Sequence, residues 1–336
     1  MKKTNPTLAV FTPAYNRAHT IERTYKSLCR QTSHDFMWVI VDDGSKDNTK
    51  ELVKSWYLMD ARFCVVSDNE FIGYAKDADW LQIHYIWKEN GGMHTAHNKA
   101  YENIDTELAV CIDSDDWMPD NGVEVIVTRW DRDGGEQYAG LIGLDVFEDG
   151  YVIGPPVPNG WKSCKTYEME HECHVFCDQK YVYRPDVIKK YLPYPVYPGE
   201  RYGQVNWVYQ VIDKDYDMLC SNDVYCVVEY QAEGLSLNVL GQYRQSPNTR
   251  LYECNKLMTA VPYFKENVKR AIQYNACAII LKKWHLMFKS TRPWLTTLTF
   301  PLGIAYYLYM SNKKQKPLDP SASRIIHSSQ LIQQDK

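Results

Sequence analysis

The chain lacks the features that would place it among secreted or nucleic-acid-binding proteins. Residues 1–6 contain no apolar stretch of the kind found in secretory signal peptides. Its ten cysteines show no paired spacing, so we expect reduced thiols and a cytoplasmic location. Lys and Arg number 38 against 42 Asp and Glu, a net charge of −4. This balance argues against a nucleic acid as the main partner.

One group of potential metal ligands is close together in the sequence. His171, Cys173, His174 and Cys177 follow one another at short intervals, with Cys164 upstream. Zinc ligands can have such spacing. However, the group has one close cysteine pair, and residues 175–177 are typical of the start of a strand. The interpretation that these residues are structural is therefore preferred to a zinc site.

Two short apolar runs end in clusters of carboxylates. Residues 39–41 lead into Asp42 and Asp43, and residues 109–112 lead into an acidic turn at 113–116. Runs of this length, rich in β-branched residues, are typical of buried parallel strands. Parallel sheets place their ligand sites at the carboxyl ends of the strands, so both clusters are expected at one edge. Carboxylates gathered there repel one another unless a cation or a donor-rich ligand holds them, which favours a metal-assisted site for a phosphorylated ligand.

Alternating strands and helices predict a doubly wound parallel sheet. Strands are expected at 7–12, 36–41 and 108–112, with helices at 20–31, 47–56 and 93–103 and a strand and hairpin within 60–90. Beyond residue 120, helices are expected at 123–131, 186–192, 202–213 and within 255–288, and a late strand at 225–230.

The carboxyl-terminal part differs from the rest of the chain. Residues 293–310 carry no charge, and basic residues flank them on both sides. The stretch contains Pro301 and Gly303 and is shorter than the roughly 20 apolar residues of a spanning helix. We predict peripheral contact with a membrane surface through residues 293–310, with a hairpin packed on the main domain as the alternative. The polar residues 317–336 are expected to be a disordered tail.

Four motifs occur in a fixed order along the first 120 residues. They are Pro13-x-Tyr15-Asn16-Arg17, Val41-Asp42-Asp43-Gly44-Ser45, Asn90-Gly91-Gly92 followed by Asn98-Lys99, and Asp113-x-Asp115-Asp116. Together they resemble the family 2 glycosyltransferases, enzymes with the GT-A fold. The resemblance implies an α/β fold: a GT-A type, Rossmann-like sheet with helices on both faces. It implies a nucleotide-sugar-binding half at 1–120 and an acceptor-binding half at 121–245. The residue pattern beyond the resemblance adds a carboxyl-terminal helical tail, a helical, membrane-associated segment at 246–316.

The resemblance also assigns residues to the nucleotide-sugar donor. These are Pro13, Tyr15, Asn16, Arg17, Asp42, Asp43, Gly92, Asn98, Lys99, Asp113 and Ser114. Asp43 would accept a hydrogen bond from the uracil imide, because an unpaired buried carboxylate is costly; capping of the next helix is the structural alternative, and Asp42 fits that part. Tyr15 would stack on the base or only pack in the core, and Lys99 would contact the diphosphate or only face solvent.

A divalent metal is the expected cofactor. Mn²⁺ or Mg²⁺ takes oxygen ligands and keeps open positions for diphosphate oxygens. Asp115 and Asp116 are the candidate ligands, and the sequence leaves open which of them binds directly. An acidic turn after a strand is common in proteins, so the prediction depends on the surrounding motifs.

The resemblance places an acid–base residue about eighty residues beyond the acidic turn. Glu200, in Pro198-Gly199-Glu200-Arg201, stands at that place and would take the proton from the acceptor hydroxyl. Arg201 departs from the acidic residue that is frequent there, and a solvated Glu in a Pro-Gly loop is the alternative. Gly234-Leu235-Ser236 resembles the loop that covers the donor.

The expected function is that of an inverting glycosyltransferase. It would move a hexose or N-acetylhexosamine from a UDP-sugar to a hydroxyl of a saccharide or lipid-linked acceptor, in bacterial surface polysaccharide synthesis at the inner face of the cell membrane. A nucleotidyltransferase is one alternative, but residues 13–20 lack the glycines of a triphosphate loop. A catalytically silent nucleotide- or carbohydrate-binding module is the other.

Overall fold

The computed structural model describes residues 5–158, 160–171, 179–229, 239–312 and 324–328. Within them, twelve strands belong to one sheet: β1 (Leu8–Ala14), β2 (Phe36–Asp42), β3 (Cys64–Ser67), β4 (Glu70–Tyr74), β5 (Gln82–Trp87), β6 (Leu108–Cys111), β7 (Tyr138–Val146), β8 (Tyr151–Ile153), β9 (Ser163–Cys164), β10 (Lys180–Tyr183), β11 (Asp217–Val227) and β12 (Arg324–His327). The helices are α1 (Ile21–Cys29), α2 (Thr49–Lys54), α3 (Met93–Glu102), α4 (Gly122–Asp133), α5 (Thr166–His171), α6 (Pro185–Ile188), α7 (Trp207–Ile212), α8 (Val239–Gln245), α9 (Pro247–Ala260), α10 (Phe264–Ile280) and α11 (Pro293–Asn312), with a 3-10 helix at Trp284–Lys289.

The centre of the sheet is parallel, in the order β6-β1-β2-β5. Alternate residues of these strands face opposite sides of the sheet, as strand geometry requires. Val10 and Ile40 pack in one core with α1 and α4, whereas Phe11 and Val41 pack in a second core with α3, α7 and α9. Helices therefore cover both faces, which confirms the predicted fold class.

The flanks of the sheet are antiparallel. β4 and β3 continue the sheet beyond β5, and β10 and β7 continue it beyond β6. β7 also pairs in parallel with β11, which is longer than the strand predicted at 225–230. The predicted parallel pairing is therefore found among the four central strands and between β7 and β11, whereas the other pairings of the sheet are antiparallel.

The carboxyl-terminal helices pack as a unit in which α10 contacts α9, α11 and the 3-10 helix. α11 continues through Pro301 as one helix. Its buried side holds it in place, since Asn275 of α10 donates from Nδ2 to the carbonyl of Thr296 at 2.8 Å. No helix within the described residues is long and apolar enough to cross a bilayer.

Two other expectations need correction. The predicted helix at 202–213 begins only at Trp207, because two preceding N–H groups are hydrogen-bonded to side chains of other segments. The N–H of Tyr202 donates to Oγ of Ser246, just before α9, and the N–H of Gln204 donates to Glu253 of α9. The predicted disorder of 317–336 is wrong for Arg324–His327, which pairs antiparallel with β8. β8 pairs on its other side with β7 and so offers a free edge to that segment.

Candidate functional site

The four central strands end at one edge of the sheet. Ala14 of β1 lies opposite Asp42 of β2, and Asp42 lies opposite Trp87 of β5. Phe11 of β1 lies opposite Cys111 of β6. The loops that follow these strands carry the residues singled out in the sequence, so the structure places both acidic clusters at the same edge, where parallel sheets bind ligands.

The loops after β1 and β2 are tied together by hydrogen bonds. The backbone N–H of Asn16 donates to Oγ of Ser45 at 2.8 Å, and the N–H of Lys46 donates to Oδ1 of Asn16 at 2.8 Å. Asn16 adopts a φ of 55°, a conformation that Asn tolerates better than most residues. Pro13 lies within β1, and the ring of Tyr15 is 40% exposed at the site. This loop presents Tyr15 on a fixed backbone, where its ring is open to a ligand.

Asp42 is structural, but it does not cap the next helix as the sequence allowed, because α2 starts after Asn48. Its side chain is fully buried and accepts hydrogen bonds from the N–H of Ser45 at 2.7 Å and from Oη of Tyr85 at 2.6 Å. Oδ1 therefore stabilises the turn after β2, and Oδ2 links β2 to β5.

Asp43 anchors the glycine loop that precedes α3. Its carboxylate accepts hydrogen bonds from Nζ of Lys88 at 2.5 Å and from the N–H groups of Gly91 at 3.0 Å and Gly92 at 2.7 Å. Lys88 also donates to Oγ1 of Thr95 at 2.7 Å. Sequence reasoning missed Lys88, although its place directly after β5 puts it at the same edge.

Gly92 brings a second loop, residues 198–206, into the site. Its φ of 95° favours glycine, and a Cβ there would lie 1.8 Å from the carbonyl oxygen of Arg201. The neighbouring His94 is buried beneath Gly203, and both of its ring nitrogens lack a hydrogen-bond partner within the described residues. Burial lowers the pKa of His94, so the imidazole is neutral at physiological pH.

The acidic turn follows β6. Asp113 and Asp115 are half-buried, and burial together with the charge of Asp113 raises the pKa of Asp115 above its ordinary value. The charges of Arg17 and Arg23 oppose that shift. Nη2 of Arg23 lies 3.4 Å from the carbonyl oxygen of Asp115 and also forms an ion pair with Glu229. Arg23 also lies over the ring of Trp117, with 5.1 Å between its Cζ and the ring centroid. Two neighbouring carboxylates beside two cations suit the charges of a metal-bound diphosphate.

Asp116 points into the protein. It is 4% exposed, and its carboxylate accepts from the N–H of Glu229 at 3.1 Å and from Sγ of Cys226 at 3.9 Å. Burial raises the pKa of Asp116 well above its ordinary range, and the buried Lys180 opposes that shift. These contacts fix the acidic turn to β11, so Asp115 is better placed than Asp116 to meet a ligand.

A metal site at this turn would need oxygen ligands from outside the protein. Among the residues that the structure describes, no three His, Cys, Asp or Glu side chains come together as metal ligands. Asp113 and Asp115 supply two carboxylates of the type that Mg²⁺ and Mn²⁺ accept. The pair fits an ion that takes its remaining ligands from a diphosphate and water.

Three predicted donor residues lie elsewhere or are already engaged. The amide of Asn98 donates to the carbonyl of Tyr194 at 3.0 Å and accepts from the N–H of Tyr194 at 2.7 Å. Lys99 pairs with Glu102 at 3.2 Å on the exposed last turn of α3. Ser114 is 4% exposed within the acidic turn. The predicted donor contacts of Asn98 and Lys99 are therefore corrected, because their side chains stabilise α3 and its junction with the segment after α6.

Glu200 lies at the amino terminus of α9. Its Oε1 accepts from the backbone N–H and from Nδ2 of Asn248, both at 2.8 Å. Its Oε2 accepts from the N–H of Thr249 at 2.8 Å and from Oγ1 of Thr249 at 2.7 Å. With 7% exposure and four donors, the carboxylate satisfies backbone groups that a helix start leaves unpaired. The alternative of a solvated Glu is excluded.

Two sequence predictions fall outside the described residues. Cys173, His174 and Cys177 of the potential zinc group lie there, as does the loop Gly234-Leu235-Ser236. Cys164 is buried, with its Sγ 3.1 Å from Sγ of Cys220.

Solved structures share the fold of this chain. TarS 1-349 of S. aureus in complex with UDP is 15% identical, with a TM-score of 0.51 and 90% coverage of both chains. The complex of the same protein with UDP-GlcNAc gives the same values. At this level of identity the likeness shows the GT-A fold alone.

Curated relatives match about a third of the chain. Glycosyltransferase GlyA of Streptococcus pneumoniae is 29% identical over 122 residues, which are 36% of this chain and 15% of GlyA. TuaG of Bacillus subtilis, named as a teichuronic acid biosynthesis glycosyltransferase, is 31% identical over 121 residues, which are 36% of this chain and 40% of TuaG. The chain therefore spans less than half the length of these relatives. The family description "Glycosyl transferase family 2" matches residues 9–192, more than half of the chain. The chain belongs to glycosyl transferase family 2.

Proposed function

We propose that the protein is an inverting glycosyltransferase that moves a hexose or N-acetylhexosamine from a UDP-sugar to a hydroxyl of a saccharide or lipid-linked acceptor. One observation carries the proposal. The acidic turn with Asp113 and Asp115 lies beside Arg17 and Arg23, at the edge where Asp43 anchors the glycine loop. Family membership and the UDP and UDP-GlcNAc complexes of TarS support a UDP-sugar as the donor.

Different residues at this edge would bind different parts of the donor. Tyr15 offers an exposed ring for stacking on the base. The N–H groups of Gly91 and Gly92 already donate to Asp43, so the glycine loop shapes the site rather than binding the donor directly. Arg17 and Arg23 place positive charge next to the diphosphate, which stabilises the charge that develops on the leaving group. Asp43 would accept a further hydrogen bond from the uracil imide N–H. Its carboxylate already accepts from Nζ of Lys88 and from the N–H of Gly92, so the base would share these oxygens with them.

Mn²⁺ or Mg²⁺ is part of the proposal. Asp115 would hold the ion with Asp113 beside it, whereas Asp116 keeps the turn fixed to β11. When bound, such an ion neutralises the diphosphate and so favours its departure.

Glu200 is the proposed acid–base residue. In the structure its four lone-pair positions are occupied by donors from Asn248 and Thr249. To accept a proton from the acceptor hydroxyl, the carboxylate must release one of these bonds, and the side-chain bond from Asn248 disturbs the α9 backbone least. A single displacement assisted by one base inverts the anomeric configuration.

The acceptor and the location belong to the same proposal. The name of TuaG refers to teichuronic acid biosynthesis, which supports a bacterial surface polysaccharide as the product. We place the protein at the cytoplasmic face of the cell membrane, with residues 293–310 in peripheral contact with it. The exposed apolar side chains of α11 support this location.

Release of UDP from a panel of UDP-sugars tests the proposal. Wild-type protein with Mn²⁺ should release UDP from one donor, and Asp115→Asn should reduce the rate by about 100-fold or more. Asp131→Asn, which alters an exposed carboxylate on α4, is the matched control and should keep the wild-type rate.

The outcomes separate the candidate functions. No UDP release and no UDP binding with either metal would contradict the proposal. Pyrophosphate release from a nucleoside triphosphate would indicate a nucleotidyltransferase. Binding of a UDP-sugar without turnover, even with a panel of acceptors, would indicate a silent module.

A further inference from the structure

We propose that the exposed side of α11, with the basic residues that precede it, docks on the surface of an anionic lipid bilayer. This lipid-docking face consists of Trp294, Leu298, Leu302, Ile304 and Leu308, flanked by Lys282, Lys283, Lys289 and Arg292. The inference rests on the proposed function for its purpose, since it would bring the site to a lipid-linked acceptor. Lipid binding itself is measured without any sugar transfer.

The apolar part of the face is large for a surface helix. Leu298 is 72% exposed, Trp294 58%, Leu302 54%, Leu308 53% and Ile304 43%. Residues three and four positions apart share one side of a helix, so Trp294, Leu298 and Leu302 form a continuous stripe. Contiguous apolar surface of this kind marks a protein or membrane interaction site.

The opposite side of α11 is fixed to α10. Leu295, Thr296, Thr299 and Gly303 are buried there. A Cβ at Gly303 would lie 2.4 Å from Cβ of Asn275, so the two helices are in close contact. The exposed stripe therefore cannot turn inward without breaking that packing.

Aromatic rings accompany the stripe. Phe264 stacks on Trp294, with 6.4 Å between ring centroids and 8° between the planes. The adjoining 3-10 helix adds the exposed rings of Trp284 and Phe288. Tryptophan and other aromatic rings are favoured at the level of lipid headgroups.

The segment that contains the stripe is basic. From 267 to 312 the sequence has six Lys or Arg residues and no Asp or Glu, in a chain whose net charge is −4. Within the described residues, no carboxylate forms an ion pair with Lys282, Lys283, Lys289 or Arg292. Unpaired cations next to an apolar surface complement anionic headgroups.

The other occupants of such a face fit less well. A symmetric dimer through this face would bring the same cations of both copies together, which is unfavourable. A membrane-spanning position would need a longer apolar helix than any that the structure describes. A helix that lies in the plane of the bilayer surface satisfies both constraints.

Vesicle flotation of the full chain tests the inference. Wild-type protein should float with phosphatidylcholine vesicles that contain phosphatidylglycerol, and more weakly with phosphatidylcholine alone. Leu298→Glu/Leu302→Glu should lower binding by about tenfold or more, because charged side chains are unfavourable in the acyl region. The matched control, Val65→Glu/Val66→Glu, adds the same charge at exposed apolar positions of β3 and should bind as wild type does.

Lys282→Gln/Lys283→Gln tests the electrostatic part of binding. This variant should bind the anionic vesicles roughly tenfold more weakly, with unchanged binding to phosphatidylcholine alone. Added salt should cause the same loss in the wild type.

The failures are distinguishable. If wild-type protein floats with neither vesicle, the inference is overturned. It is also overturned if Leu298→Glu/Leu302→Glu converts a wild-type dimer into a monomer without changing flotation. Donor hydrolysis in solution, which should be unchanged in Leu298→Glu/Leu302→Glu, verifies that this variant is folded. If the protein binds vesicles but hydrolyses no UDP-sugar, the lipid-docking face is supported and the proposed function is contradicted.

Discussion

At the residue scale, Gly92 is the point where the donor edge and the loop 198–206 meet. A Cβ at Gly92 would lie 1.8 Å from the carbonyl oxygen of Arg201, and backbone cannot yield as a flexible side chain can. Gly92→Ala should therefore lower the free energy of unfolding by about 3 kcal/mol or more, as the sum of backbone strain and overpacking. Urea denaturation measures the change.

Gly199 provides the control for that substitution. Its φ is 80°, but a Cβ there would meet no heavy atom within 4 Å. Gly199→Ala should cost about 1–2 kcal/mol from the left-handed backbone alone. Equal losses in the two variants would mean that the close approach to Arg201 is unimportant.

Glu200 has two roles that can be separated by mutation. In Glu200→Gln the side-chain N–H₂ faces the hydrogen-bond donors of Asn248 or Thr249, so two donors meet without an acceptor. This variant should lower the free energy of unfolding by about 1–3 kcal/mol. If Glu200 is the base, this variant should lose transfer to an acceptor but keep slow donor hydrolysis below its melting temperature. Asn248→Ala removes one donor from Oε1 and should retain transfer. Full transfer by folded Glu200→Gln would leave Glu200 with the capping role alone.

Individual site residues differ in how far the sequence could predict them. Asp43, Asp113 and Asp115 follow strands, and the strand ends alone place them at the edge. Asn98 could not be interpreted in this way, because its partner Tyr194 lies 96 residues further along the chain. The inward orientation of Asp116 depends on Glu229 in the same manner. Contacts between distant segments, which one sequence does not contain, decide these side chains.

At the scale of elements, Asp213 links the end of α7 to the start of α5. It accepts from the N–H of Thr166 at 2.9 Å, from Oγ1 of Thr166 at 2.5 Å and from the N–H of Tyr167 at 3.1 Å. Burial raises the pKa of Asp213 to about 6, against an ordinary value of 3.8, while these bonds and Lys165 oppose the shift. The folded protein therefore keeps a proton that the unfolded chain releases between those two values.

This difference predicts how stability depends on pH. Because the folded state binds the additional proton, the contribution of Asp213 to stability falls as pH rises from about 4 to about 6, by up to about 3 kcal/mol. Asp213→Asn cannot titrate, so the difference in unfolding free energy between variant and wild type should change by that amount across the window. Urea titrations at about pH 4 and about pH 7 measure it. A difference that stays constant with pH would contradict the shifted pKa.

The elements themselves follow the sequence where local signals are strong. β1, β2 and β6 were predicted within two residues at each end, because apolar β-branched runs identify buried strands. β11 begins eight residues before the predicted strand, since its first half pairs with β7 and β9 rather than showing a strand pattern of its own. α11 passes through Pro301 because α10 supports its buried side. Tertiary packing overrides local propensity at both places.

At the scale of the whole molecule, buried Arg250 joins the sheet domain to the helical unit of α8–α11. Its Nη1 donates to Oε1 of Gln204 at 2.5 Å and to Oε2 of Glu253 at 3.0 Å, and its Nη2 donates to Oε1 of Gln273 at 2.7 Å. Gln204 belongs to the loop 198–206, whereas Glu253 and Gln273 lie on α9 and α10. Glu253 also accepts from the N–H of Gln204 at 2.8 Å, so one buried ion pair holds the loop of Glu200 against the helices.

This junction predicts that the two parts unfold together. Wild-type protein should show one calorimetric transition. Arg250→Met leaves Glu253 as a buried, unpaired charge and should lower the free energy of unfolding by about 3–5 kcal/mol. The helical unit should then unfold at a lower temperature than the sheet, so that calorimetry shows two transitions. Arg250→Met/Glu253→Leu removes both charges and should recover much of that loss, because paired ions in a protein interior gain little over apolar residues of similar volume. Two transitions in the wild type would mean that the helical unit unfolds independently of the loop that carries Glu200, despite the packing of α9 in the second core of the sheet.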